Sequence, residues 1–203
     1  MRDATPSFPF ATAILAMACL AAGFTSLEPQ FAFDRQNIMA GELWRLWTGH
    51  LVHFSLAQRL LDVGTLLIVG WLAEREWGSG PTAIAMLLGM PAISASLLLV
   101  SPDLIQFRGV SGIVMLLALA AATSIWHDHP SARPGLAVLG VAAAIKTLLD
   151  ASGMQTPSSL PAGVSVAWQA HVSGAAIGWM AARYRLQRMP RAGEAGETGI
   201  QKL

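Results

Sequence analysis

The run Gly109-Val110-Ser111-Gly112 sets a serine at the head of one apolar stretch, and His171 lies inside another. A hydroxyl and an imidazole held in lipid-embedded helices cost free energy unless each has a partner, and each is the obvious partner for the other. A paired Ser and His is the minimum equipment for nucleophilic attack on a peptide carbonyl. The imidazole takes the hydroxyl proton as the oxygen attacks, then returns it to the leaving amine. Glycines at 109 and 112 let backbone approach closely, and the free amides of a helix start, with its positive dipole end, can hold a developing oxyanion. Read more blandly, Ser111 is an N-cap and His171 is bonded to a core carbonyl.

The surroundings must then be a membrane. Of 203 residues, 54% are hydrophobic and 12% charged, against about 25% charged in a typical soluble domain. The net charge of +1 gives no basic face for nucleic acid. The single cysteine, Cys19, excludes an intramolecular disulfide and reads as a small packing residue. A spanning helix needs roughly 20 apolar residues. Six segments approach this: Phe10 to Leu27, Leu51 to Ala73, Pro81 to Val100, Ser111 to Ile125, Leu136 to Leu149 and Val164 to Tyr184. The reading is an all-α, polytopic bundle over residues 10–185, with a cytoplasmic N-terminus at 1–9 and a disordered cytoplasmic tail at 186–203. Arg2 and the small residues Ala21-Ala22-Gly23 would also suit a signal peptide, but the long apolar run and the bundle after it favour a span.

Six spans put both termini on one side. Arg2, Arg75, Arg133, Arg183, Arg185, Arg188, Arg191 and Lys202 fall there, and positive-inside bias makes it the cytoplasm. The outward loops are then 28–50, 101–110 and 150–163. Ser111 lies near the outer surface, and His171 about seven residues into its helix, roughly 10 Å by helical rise. His171, Gly174 and Gly178 share one helix face, so the face that can approach a neighbour closely also presents the imidazole.

These residues, with Trp44-Arg45 in the first long loop and His53-Phe54-Ser55 beyond it, resemble the rhomboid family of intramembrane serine proteases. The likeness runs over roughly residues 10–185. It implies six core helices, Ser111 as nucleophile on the fourth, His171 as general base on the sixth, and no metal or cofactor. The compact size and the run Trp44-Arg45-Leu46-Trp47-Thr48-Gly49-His50-Leu51-Val52-His53 are most similar to the rhombosortase branch. That branch implies removal of a glycine-rich C-terminal anchor from secreted bacterial proteins. The expected setting is a bacterial inner membrane, the partners are lipids and a single-pass or C-terminally anchored substrate, and the active site opens outward.

One departure stands out. The family's usual His and Asn, four residues apart on the second helix, read here as Gln58 and Asp62. Gln58 can still donate through its amide. Asp62 can donate only if protonated, and a carboxylate beside an oxyanion is unfavourable. Arg59, three residues earlier on the same helix, is one candidate to neutralise it. The departure leaves open an inactive relative that holds client helices without cutting them. A small transporter would need a continuous polar path, and the polar groups gather only near Gln58, Asp62, Ser111 and His171.

Elsewhere, Trp44, Arg45 and Trp47 read as interfacial anchors, and His53 as a residue that orders the first loop. His127-Asp128-His129 lacks structural-zinc spacing and reads as a solvated turn. Lys146 in the fifth span needs a partner, and Asp150 one turn on is the expected one.

Overall fold

The computed structural model describes residues 8–24, 27–154 and 166–188. Helix α1 spans Phe10–Ala22. An outer segment follows, made of α2 (Glu28–Phe31), strand β1 (Phe33–Asp34), α3 (Arg35–Met39) and α4 (Arg45–Thr48). The long helices are α5 (Leu56–Trp77) and α6 (Ser79–Val100), then, after strand β2 (Gln106–Phe107), α7 (Ser111–Asp128), α8 (Arg133–Ala151, preceded by a 3-10 turn) and α9 (Trp168–Arg188). Leu56–Trp77, Ser79–Val100, Ser111–Asp128 and Pro130–Ala151 are long and apolar enough to cross a membrane, and Phe10–Ala22 is a shorter apolar helix. The expected starts at 51 and 164 both move inward. Ser55 caps α5 by accepting from the Gln58 amide, and α9 begins at Trp168. His171 is therefore in the first turn of its helix instead of seven residues in. The expected loop 150–163 and the tail fall largely outside the described residues.

Composition alone cannot orient helices that are apolar all round, so close packing depends on small residues and on polar groups that need partners. Helix α7 is the centre: Ile113, Leu116, Leu117 and Ala120 are fully buried. Its contact with α9 is set by glycines. A Cβ at Gly174 would fall on the Gly112 carbonyl oxygen, and one at Gly178 on that of Leu116. Helix α1 meets α5 in the same way, with Gly70 against Thr12. Next to it, buried Glu74 accepts from the Thr12 amide (2.7 Å) and hydroxyl (2.6 Å), and also from the Ser79 hydroxyl. The carboxylate therefore serves the otherwise unpaired amides at the N-terminus of α1 and complements its dipole. This builds α1 into the bundle. Helix α8, by contrast, has no buried residue, and its Lys146 pairs with Asp150 at 2.7 Å.

The outer segment is fastened to α6. Pro91 has no N–H, so the Leu87 carbonyl one turn earlier loses its helical donor. The Trp47 indole takes it at 2.9 Å. His50 Nε2 lies 3.0 Å from the Met90 carbonyl and 3.1 Å from Ser94 Oγ, and the Ser94 hydroxyl in turn donates to the Leu46 carbonyl. Because the carbonyl only accepts, His50 Nε2 carries the proton. Arg35 closes the far end of α6, donating to the carbonyls of Leu97, Leu98, Ser101 and Leu104 at 2.7–3.1 Å. Antiparallel pairing of β1 with β2 (Phe33 opposite Phe107) carries this tether to the residues before Ser111.

Candidate active site

Ser111 is positioned by a glycine turn held from two sides. Gly109 has φ +133°, which an L side chain rarely adopts. Its amide donates to the Gly49 carbonyl at 3.2 Å, and the carbonyl of Arg108 accepts from Gln58 Nε2 at 3.0 Å. The N-cap of α7 is Val110, whose carbonyl receives the amides of Ile113 and Val114. Ser111 is thus the first helical residue, not the cap, and its side chain is not spent on the helix end. Instead, Ser111 Oγ lies 3.0 Å from His171 Nε2, across the glycine-lined contact of α7 with α9. Two partly buried polar groups satisfy each other, and the helix-start amides beside them have no intrahelical acceptor.

Gln58 and Asp62 stand one turn apart on α5 and face the same turn. A Cβ at Gly109 would meet Gln58 Nε2 at 2.8 Å and Asp62 Oδ2 at 3.1 Å, so only glycine leaves them room. Gln58 spans the gap with both ends of its amide: Oε1 accepts from the Phe54 amide at 2.9 Å and Nε2 donates to Arg108. An amide nitrogen has two protons, so Nε2 keeps a second donor beyond its bond to Arg108.

Three expectations are corrected here. Arg59 does not pair with Asp62; it donates to Glu28 at 2.7 Å, and Arg108 approaches the same carboxylate at 3.9 Å. Residue spacing on one helix favoured the near carboxylate, but Arg59 reaches outward to the loop acid. Asp62 instead faces His53, with Oδ2 and Nε2 3.2 Å apart though not aligned for a hydrogen bond. His53 is therefore buried beside the site, and the loop-ordering role falls to His50. Burial pushes the His50 ring down to about pKa 4, against the opposing pull of the Met90 and Gly109 carbonyls. Finally, Arg45 is not an interfacial anchor. It is buried, donating to the carbonyls of Pro29 and Ala32 at 2.8 Å each and to Glu42. A guanidinium's five donors suit such a backbone clamp. Trp44 and Trp47 remain partly exposed at 51% and 37%. His127 and Asp128 bond each other in the open.

Glu28, Arg35, Ser94 and Glu74 were not singled out from sequence. Pro91 inside an apolar helix is the one sequence signal that an outside donor had to arrive nearby.

A sequence model of the Rhomboid domain matches residues 40–188, which includes α4 through α9 and Gly49, His53, Gln58, Asp62, Gly109, Ser111 and His171. No curated protein matches the chain.

Proposed function

The chain belongs to the rhomboid family, a family of intramembrane proteases, and from that premise we propose that it cleaves a membrane-anchored helix with a Ser111–His171 dyad. The observation that carries this reading is the 3.0 Å approach of Ser111 Oγ to His171 Nε2 between two helices that glycine keeps in contact. Ser111 Oγ attacks the scissile carbonyl carbon while Nε2 takes its proton. The oxyanion forms beside the Ser111 amide and the second N–H of Gln58. When the C–N bond breaks, His171 gives the proton to the leaving amine. A water, deprotonated by the same imidazole, then hydrolyses the Ser111 ester and restores the hydroxyl. No third residue is required, because the tight α7–α9 contact fixes the ring.

The substrate is a spanning or C-terminal anchor helix, rich in glycine or other helix breakers, since an intact helix keeps its carbonyls bonded. The chain sits with six spans in a bacterial inner membrane, termini cytoplasmic, the site opening outward. Within the family the rhombosortase branch fits best, on the run from Trp44 to His53. Ser111→Ala and His171→Ala should each abolish cleavage of a tagged glycine-rich C-terminal anchor while insertion is unchanged. Cleavage by Ser111→Ala at the wild-type level would falsify the proposal.

A second reading, a client holder without cleavage, draws on Gln58 and Asp62 standing where the family's usual donors would be. A serine-directed fluorophosphonate separates the two. Labelling that depends on Ser111 marks a nucleophile, and silence combined with tight client binding marks a holder.

A further inference from the structure

From the level of Leu116 and Ala92 to the end of the bundle away from Ser111, an open groove of about 940 Å³ runs between α6 and α9. Small residues make it: Ala85, Gly89 and Ala92 on α6 face Ile177 and Ala181 on α9, with Leu116 of α7 as the floor. A Cβ at Gly89 would meet the tip of the Leu116 side chain, so glycine there leaves the floor of the groove undisturbed. The groove is apolar along its length and ends in two cations, Arg185 and Arg188. Among the described residues no carboxylate lines it, and neither arginine is in an ion pair.

Those cations are held in place. The Arg185 guanidinium lies 5.6 Å over the Trp77 ring and Nη2 reaches the Trp77 carbonyl at 3.3 Å, while Nε is buried without a hydrogen-bond partner. Trp77 is itself fixed by its indole N–H on Ser124 Oγ at 2.9 Å. Arg188 lies 4.9 Å over the Tyr184 ring and is exposed. A buried guanidinium N–H with no acceptor calls for an anion, and two guanidiniums suit phosphate oxygens.

We propose that this groove binds one anionic glycerophospholipid, with an acyl chain between α6 and α9 and the phosphate on Arg185 and Arg188. An apolar slot closed by a cationic end matches that amphiphile in both shape and charge. A zwitterionic lipid offers the same chain but carries a cation beside its phosphate. Its cationic end, at Arg185, lies about four helical turns along α9 from His171, away from the cleavage chemistry.

The test is native mass spectrometry of the detergent-purified full chain, titrated with phosphatidylglycerol or phosphatidylcholine. Wild type should retain one phosphatidylglycerol in preference to phosphatidylcholine. Arg185→Gln with Arg188→Gln should weaken phosphatidylglycerol retention roughly thirtyfold, from about 1 kcal/mol per cation near a lipid surface. Arg183→Gln, exposed on the same helix but outside the groove, should leave it unchanged. Ala92→Phe, which fills the groove from an exposed position, should also reduce retention with both arginines intact. Equal retention of the two lipids, full retention by the double variant, or indifference to Ala92→Phe would each overturn the proposal. So would a dimer that these variants dissolve, since the occupant would then be a second copy.

Discussion

Replacing Gly178 with alanine tests the link between helix packing and the site. The new methyl would land on the Leu116 carbonyl oxygen, with the Leu116 carbonyl carbon at 2.8 Å and Cα at 3.0 Å behind it. These are backbone atoms of the central helix and cannot rotate away, so α9 has to back off by about 1 Å. Gly178 lies two turns from His171 on the same face, so the ring moves with it. A Ser111–His171 distance of 3.0 Å would stretch to about 4 Å, beyond hydrogen-bond range. Overpacking of this kind costs about 1–3 kcal/mol, and a misplacement of about 1 Å can cost roughly 100-fold in rate. Two other glycines calibrate the effect. At Gly112 a methyl would meet the Ala170 carbonyl oxygen at 3.2 Å and Cβ at 3.5 Å, a squeeze of only tenths of an ångström, and at Gly64 it meets nothing within 4 Å. The expected order of damage is Gly178→Ala, then Gly112→Ala, with Gly64→Ala neutral or stabilising by about 0.5–1 kcal/mol. Thermal unfolding and anchor cleavage in proteoliposomes would be measured in parallel. Wild-type Tm and turnover for Gly178→Ala would refute the account of how the dyad is set.

Two further outcomes follow from the surroundings of the dyad. Gln58→Ala should lower kcat/KM by roughly 10²–10³-fold, the usual loss for one oxyanion donor, and should also loosen the turn that it braces at Arg108. Turnover close to wild type would remove Gln58 from that role. For His50, the fold keeps the neutral ring, with a pKa pushed from the usual 6.5 down to about 4. Between those values the unfolded chain binds more protons, so stability is complete above about pH 6.5 and declines as pH falls toward 4, by up to about 3 kcal/mol. Unfolding midpoints from pH 7 to 4 should show this slope, and it should flatten in His50→Gln. An identical slope in that variant would assign it to another group.

Sequence patterns carried the long helices because apolar runs of membrane length have few other readings. The expected ranges at 81–100, 111–125 and 136–149 overlap α6, α7 and α8 closely. The approach of Ser111 to His171 was legible for a related reason: a hydroxyl and an imidazole in apolar helices each need a partner, and Gly174 and Gly178 let the two helices meet. The outer segment was not readable. Its short helices and its two-residue strand pair are set by contacts made across 40 to 70 residues, as from His50 to Met90 and from Arg35 to Leu104. No local period signals them. Arg45 and Arg59 were misjudged for the same reason. Proximity in sequence suggested an interface for one and Asp62 for the other, whereas their acceptors come from residues 28–32 and from Glu42.

The joint that Arg35 makes with the end of α6 has a consequence for how this segment tolerates change. All four of its acceptors are main-chain oxygens, so the joint is blind to the identity of residues 97–104. The exposed side chains there, Leu99 and Val100, can change without removing an acceptor, whereas loss of a single residue would turn the helix end by about 100° and carry the acceptors out of reach. A length-sensitive joint of this kind should appear in a deletion scan as an abrupt loss of folding, beside exposed positions such as Leu99 and Val100 where substitution does little.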